Sequence, residues 1–522
     1  MSEPIDARLG ACLLACGLLG ATGCFHEQAP ETELRATVEP VEAPRAADSR
    51  PRVVLLVSLD TLRPDRLGFY GYDKFTSPVL DLIAAEGIVF EDASAVSPWT
   101  LPSHASMLTG LYPKHHGVRT METGLPEEVA TVAGLLAEAG FQTAAVVNST
   151  WLRKQNYRLT RDFEKYLFIE DIARRRKPNT WVTDQAIEWL DEVRDQNLFV
   201  FVHYYDVHSD YASEPFYEKL FTTPYDGVVD GTGWQLTRAN LQDEHLELCR
   251  EDFDASKCTF GHPEGSLVVD SSVEKLQLDS DDLRRLNELY DAGIRQLDAE
   301  LSRLFAWMRR EGVFDETVLI ITSDHGEEFM EHGRVDHFLP MWQELLRVPL
   351  VFRGPGLRAG ARVQAPVSLV DLVPTILSLA GAAPPPETDG LDLSPLLRRA
   401  SPNEAAEAVE RELADRYLYG EAAGGLTYVE WMPEVFPVHR SVRRGSYKLV
   451  WESQRETYAL YDLAADPAES VDIRAQQPAL TEELIAEMQR RFRDEAAEPA
   501  AGNRIDLSDE ESERLRALGY IQ

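Results

Sequence analysis

The chain has 522 residues, 44% of them hydrophobic, enough to bury the core of one large domain and a smaller one without covalent staples. Its 52 basic residues stand against 88 acidic ones, a formal charge of −36. That field repels polyanions, which excludes nucleic acid as a partner and requires any anionic ligand to be received by a local cation or metal.

Leu9 to Thr22 is an apolar run too short to span a bilayer as a mature helix, and it leads into Ala21-Thr22-Gly23-Cys24. It resembles a bacterial lipoprotein signal. The resemblance implies a signal over 1–24, a lipid on Cys24 as the only membrane attachment, and a place at the cell envelope, on the periplasmic side or the outer surface. A buried N-terminal helix is the other reading. Residues 25–51, rich in Pro, Ala and Glu, read as a disordered tether. Cys249 and Cys258 are then the cysteines of the mature chain. They either close a local disulfide or remain two buried thiols.

Arg52 to Leu59 is a short, nearly continuous apolar run, the pattern of a strand buried on both faces of a parallel sheet. It ends at Asp60, which places that carboxylate at the C-terminal edge of the sheet. Thr143–Val147, Leu198–Val202, Val318–Thr322 and Val348–Phe352 are runs of the same kind. Between them lie helical patterns, clearest over Leu283–Met308 with Ser280 as its cap. Alternating strands and helices predict an α/β sandwich with a mainly parallel sheet and ligands at the strand ends. Ser209 to Leu278 breaks the rhythm and reads as an insertion (209–278) over the site, within a catalytic domain spanning 52–400. From 401 to 522 charged helical text gives way to alternating strands and a charged terminal helix, a smaller α+β subdomain.

Polar residues gather after three strands: Asp60, then Asp206 and His208, then Asp324 and His325, with His332 and His337 following. Carboxylates and imidazoles converging on one sheet edge suit a divalent cation with oxygen and nitrogen ligands.

The segments SLDTLRPDRLGFYG, TLPSHASMLTGLYPKHHGV, ITSDHGEEFMEHG, RVPLVFRGPG and LVDLVPTILSLAG together resemble, in order, the sulfatase branch of the alkaline phosphatase superfamily. The resemblance runs from about Val53 to the closing LSDEESERLRALGYI. It implies a three-layer sandwich, with Asp60, Asp324 and His325 as metal ligands and Thr100 as nucleophile and further ligand. Sulfatases carry Cys or Ser at that place, within CxPxR or SxPxR, and convert it to formylglycine; this chain has Thr100, Pro102 and His104. A threonine gives no aldehyde, so Thr100 is expected to attack as a plain alkoxide. Thr61 stands where a second aspartate is usual, and Val147-Asn148-Ser149-Thr150 lacks the Lys and His of the family's GKWH block. His208 matches a substrate-contacting histidine, and His337 lies where relatives place a Lys or His that protonates the leaving group. His116 is a further substrate-binding candidate. His104 divides evenly between direct substrate contact and a supporting hydrogen bond. His115, His203, His245, His262 and His439 read as structural or solvent-exposed.

The expectation is a metal-dependent hydrolase that cleaves phosphate, phosphonate or sulfate esters through a covalent Thr100 intermediate, with His208 and His337 as its acid–base groups. Zinc or manganese is favoured, with calcium the other candidate, and the substrate is an anionic ester. A sulfuric ester hydrolase acting on a sulfated glycan or aryl sulfate is one alternative. An inactive binding lipoprotein of the same fold is the other. No pattern in the sequence sets the oligomeric state.

Overall fold

The computed structural model describes residues 51–493 apart from 121–122, 154–156, 170–177, 193–195, 242–245, 247–258, 263–264, 269–272, 338–339, 423–437 and 454. Cys24, Cys249, Cys258, the signal, the tether and the closing LSDEESERLRALGYI lie outside the described residues. A nine-stranded sheet organises the main body. Its strands are β1 (Val53–Leu59), β2 (Ile88–Ser94), β3 (Gln142–Val147), β4 (Lys165–Phe168), β5 (Leu198–Tyr204), β6 (Thr317–Thr322), β7 (Arg347–Arg353), β8 (Ala361–Val363) and β9 (Val367–Ser368). They lie in the order β8-β2-β7-β6-β1-β5-β3-β4, with β9 also on β2.

The reason for the central place of β1 is written in VVLLVSL: every residue is buried. Successive side chains of a strand point to opposite faces. Val54 and Leu56 therefore enter one hydrophobic core, with Leu101 and Leu108 of the helix Thr100–Thr109 and Ile376 of the helix Leu372–Ala380. Val53, Leu55 and Val57 enter the other, with Val182 of Pro178–Glu192 and Leu297 and Leu301 of Ser280–Arg310. Each such fully buried side chain contributes roughly 1.5–3 kcal/mol. The long helix is capped one residue earlier than its sequence suggested. Asp279, not Ser280, accepts from the amides of Asp281 and Asp282, while Asp282 bonds back to the Asp279 amide in a closed capping box.

The sheet is mostly parallel, as the apolar runs predict, but β7 runs antiparallel to both β2 and β6. The connection from β6 explains it. Residues 323–346 leave the carboxyl edge of the sheet and return to that same edge, so β7 must run back. The connection carries a short hairpin pairing Glu328–Phe329 with Val335–Asp336, and its first turn sets His325 Nε2 3.7 Å from Asp60 Oδ1.

The insertion, which its sequence left without period, folds into helices Pro215–Phe221 and Gly233–Asn240 and a two-stranded hairpin, Thr259–His262 with Gly265–Val268. Beyond residue 416 a four-stranded antiparallel sheet forms from Tyr417–Ala422, His439–Arg444, Tyr447–Glu452 and Thr457–Asp462. Val442, Leu449 and Leu460 pack there under Leu484 and Met488 of the helix Pro478–Phe492. Arg443 joins it to the main body through Asp92, and the Glu421 amide through the Val96 carbonyl at 2.9 Å. Among the described residues no helix is long and apolar enough to cross a membrane.

Candidate active site

Asp60 continues β1 by one hydrogen bond, its amide donating to the Tyr204 carbonyl at 2.9 Å, so its carboxylate emerges at the carboxyl edge of the sheet. Asp324 and His325 leave the adjacent β6 at the same edge. Ligand atoms of the three residues lie within 4.8 Å of one another, and all three side chains are buried. Both Asp60 oxygens and Asp324 Oδ2 are buried without a hydrogen-bond partner. His325 Nδ1 donates to the Gly326 carbonyl at 2.9 Å, which leaves Nε2 as a lone pair facing Asp324 Oδ2 at 3.4 Å and Asp60 Oδ1 at 3.7 Å. Burial holds that imidazole down at about 4, hence neutral, the form that binds a metal. Burial and the neighbouring Asp324 push the Asp60 carboxyl well up, whereas on Asp324 the surrounding imidazoles His325, His104 and His203 outweigh burial and hold it down. Three unpaired carboxylate oxygens and one imidazole lone pair, closed off from water, fit a divalent cation. Gly326 makes the turn possible: a Cβ there would stand 1.9 Å from the Glu344 carbonyl oxygen.

Thr100 is the first residue of its helix, 1% exposed, with Oγ1 at 3.4 Å from His325 Nε2. Trp99 offers no side-chain cap, so the first-turn amides are left facing the same space. Ser103 Oγ donates to the Asp324 carbonyl at 2.6 Å and ties this helix to the cation cluster. His104 does so again. Its Nδ1 donates to the Thr100 carbonyl at 2.8 Å, with Asp324 Oδ2 at 3.3 Å, and its Nε2 accepts from Ser58 Oγ at 2.9 Å.

His104, divided in the sequence between substrate contact and a supporting hydrogen bond, and His116, a substrate-binding candidate, are both wholly buried rings bonded to protein at each nitrogen. His116 Nδ1 accepts from the Val118 amide at 3.0 Å, which fixes the proton on Nε2, 2.9 Å from Ser106 Oγ. Burial holds this imidazole at about 3.

His337 comes from the strand-end of the 328–336 hairpin. Its Nδ1 is shared between Glu327 Oε1 at 3.0 Å and Asp336 Oδ1 at 2.8 Å, and its ring lies 4.5 Å from that of His325. Burial opposes its charge, yet the two carboxylates outweigh it and hold the imidazole well above its ordinary range. His208 packs edge-on to His337 at 4.7 Å, stacks on Tyr205 at 4.3 Å and donates from Nδ1 to the Ser209 carbonyl at 2.7 Å. Burial and the charge on His337 keep it well below the usual histidine range. The pair, one imidazole held high and the other held low, thus stands beside His325 of the cation cluster. The Asp206 carboxylate accepts from Asn179 Nδ2 at 2.5 Å.

Several residues here escaped the sequence. Glu327 and Asp336 are placed against His337 by the hairpin register, Val335 opposite Phe329 and Asp336 opposite Glu328, which no local pattern announces. His203, read as structural, has Nε2 at 3.3 Å from Asp60 Oδ2 and Nδ1 at 3.3 Å from Asn148 Oδ1. Its position one residue before the end of β5, beside β1, was the available signal.

The doubly covered sheet, strand-end carboxylates and helix-borne hydroxyl define a hydrolase of the alkaline phosphatase type. The chain belongs to the sulfatase family. Residues 52–382 match the Sulfatase family and residues 330–498 match "N-sulphoglucosamine sulphohydrolase, C-terminal". It is 27% identical to arylsulfatase K of Mus musculus, over 85% of this chain and 80% of that protein. It is 24% identical to an N-acetylglucosamine-6-O-sulfatase of Bacteroides thetaiotaomicron, over 92% of this chain and 91% of that one. The crystal structure of a phosphonate monoester hydrolase of Agrobacterium radiobacter superposes with a TM-score of 0.65 at 20% identity, covering 84% of this chain and 95% of its own.

Proposed function

We propose that this protein hydrolyses phosphate- or sulfate-type esters through a covalent ester on Thr100, with phosphate-type esters the faster substrates. The observation that carries the reading is the Thr100 hydroxyl at the open N-terminus of its helix, 3.4 Å from His325 in the Asp60–Asp324–His325 cluster. Asp60, Asp324 and His325 would hold the cation, which lowers the pKa of a nearby hydroxyl and neutralises charge on the transferring oxygens. Thr100 Oγ1, its proton released to solvent beforehand, attacks the phosphorus or sulfur centre as the alkoxide, the bond to the departing oxygen breaks, and the later water attack returns Thr100 as the alkoxide. His337, whose Nδ1–H is held by Glu327 and Asp336, gives the proton on Nε2 to that oxygen. Neutral His208 beside it accepts a proton from the water that then releases Thr100. His104 and Ser103 keep the nucleophile and Asp324 in register.

Phosphate-type preference follows from the missing aldehyde: a threonine ester has no hydrate that can expel sulfate. The phosphonate ester hydrolase fold and the sulfatase relatives frame the choice. A sulfuric ester hydrolase is the second reading, favoured by the sulfatase names among the sequence relatives. An aryl sulfate, phosphate monoester, phosphate diester and phosphonate panel with manganese, zinc and calcium separates the two. Thr100→Val is expected to abolish turnover and keep the fold. Full activity in that variant ends the Thr100 mechanism, and fast aryl sulfate cleavage with no phosphate ester cleavage ends the substrate assignment.

A further inference from the structure

Three neighbouring strands deliver three buried polar side chains in a row. Asp60 follows β1, His203 is the penultimate residue of β5 and Asn148 follows β3, in a sheet whose order there is β1-β5-β3. Each of the three is at most 3% exposed. His203 lies opposite Ser58 in the register, and Ser58 Oγ holds His104, whose ring meets that of His203 edge to face with centres 5.0 Å apart. The His203 ring is thereby fixed between its neighbours, with Nε2 3.3 Å from Asp60 Oδ2 and Nδ1 3.3 Å from the Asn148 carboxamide.

His203 Nε2, Asp60 Oδ2 and Asn148 Nδ2 are all buried without a hydrogen-bond partner. One rearrangement serves all three. A carboxamide presents oxygen on one side and N–H groups on the other with nearly the same shape, so an Asn148 amide turned over donates from Nδ2 to His203 Nδ1. Nε2 then carries a proton and points it at Asp60 Oδ2, and the Asn148 oxygen is the one atom of the set left over. The second Asp60 oxygen, Oδ1, is the one that faces His325 Nε2, at 3.7 Å. Asp60 is thus divided, one oxygen towards the imidazole behind it and one towards the cation cluster.

We propose that His203, oriented by Asn148, donates to Asp60 Oδ2 and restricts that carboxylate to binding a cation through Oδ1 alone, so that the site selects manganese or zinc over calcium. The inference rests on the proposed cation site at Asp60, Asp324 and His325, and not on the part played by Thr100. Calcium gathers about six to eight oxygen ligands and often grips a carboxylate by both of its oxygens. Manganese and zinc accept an imidazole nitrogen and a carboxylate held by one oxygen. Hydrogen bonds to a ligating carboxylate fix its orientation, and removing them typically costs about 10- to 100-fold in metal affinity. His203 is a positioning residue: it acts on the cation through Asp60.

The test is calorimetric titration of manganese and of calcium into chelator-treated, full-length protein, as wild type, His203→Leu and His203→Gln. Wild-type protein is expected to bind manganese more tightly than calcium. His203→Leu should narrow that ratio about tenfold, mostly by weakening manganese. His203→Gln, whose amide still reaches Asp60 with an N–H, should keep most of it. An unchanged ratio in His203→Leu overturns the proposal, and so does wild-type protein that holds calcium as tightly as manganese. A His203→Gln protein that falls as far as His203→Leu also overturns it, being the result expected of an imidazole that binds the cation itself. If neither metal binds the wild type, the cation site fails and the inference with it; binding with an unchanged ratio leaves that site standing and removes only the role of His203. Should His203→Leu not fold, the ring is read directly by nitrogen NMR of zinc-loaded protein carrying isotope-labelled histidine, with His203 assigned by its absence from His203→Gln. A proton on Nε2 is expected, and a bare Nε2 overturns the proposal.

Discussion

Replacing His116 by Phe separates a structural ring from a substrate contact. The aromatic volume is kept, but the buried Val118 amide and Ser106 hydroxyl lose their partner. Each buried polar group left unpaired costs about 1–3 kcal/mol, so unfolding stability at pH 8 should fall by roughly 2–6 kcal/mol. The pH dependence adds a second signature. His116 sits at about 3 in the folded protein against an ordinary 6.5, so the unfolded chain binds the proton first. Its stabilisation is complete above pH 6.5 and is lost as the pH falls towards 3. By pH 5 the wild type has given up about 2 kcal/mol through this residue, and the Phe variant nothing. The gap between the two should therefore narrow by about 2 kcal/mol between pH 8 and pH 5. Urea unfolding followed by tryptophan fluorescence at both pH values measures it. An unchanged midpoint together with a KM raised several-fold would show that the ring serves the substrate, and would refute the reasoning.

Asp60→Asn should act in opposite directions with and without metal. In chelator-treated protein at pH 8 it relieves a buried carboxylate lying against Asp324 and should raise the unfolding temperature by a few degrees. In manganese it should remove most of the metal-induced rise, and a variant that still shows the full rise would exclude Asp60 as a ligand. Glu327→Gln should lower kcat about 10- to 100-fold and move the alkaline limb of its pH profile to lower pH, because Glu327 is the first group holding the His337 proton. An unmoved limb would exclude that role. Full-length protein in a Gram-negative host should partition with membranes, and Cys24→Ala should release it; equal solubility of the two forms would contradict the lipid anchor.

The main sheet and one strand-end cluster were legible because buried parallel strands write themselves as apolar runs. VVLLVSL runs straight into Asp60 and TVLIIT reaches Asp324 one residue further on, and a parallel sheet puts such ends together. β2 was not legible, since IVFEDAS carries Glu91 and Asp92 in mid-strand, where Asp92 is matched by Arg443 from the distant C-terminal sheet. The reversal of β7 was equally hidden, because burial on both faces says nothing of direction. Chemistry at the site divides in the same way. Asp60, Thr100, Asp324 and His325 were candidates through the resemblance of their segments to the family. The Glu327 contact on His337 and the approach of His203 to Asp60 depend on pairings 10 and 143 residues apart in sequence. Local periodicity carries no trace of these.

The central claim is a covalent ester on Thr100, and the direct measurement is to trap it. Metal-loaded protein mixed with a chromogenic phosphate diester or aryl sulfate, quenched in acid during the first turnover and digested, should yield the peptide containing SPWTLPSHASMLTG with the transferred group mapped to Thr100. Peptide from protein without substrate should carry an unmodified threonine. Steady turnover with no adduct on that peptide at any quench time, and an adduct on another residue, would contradict the account.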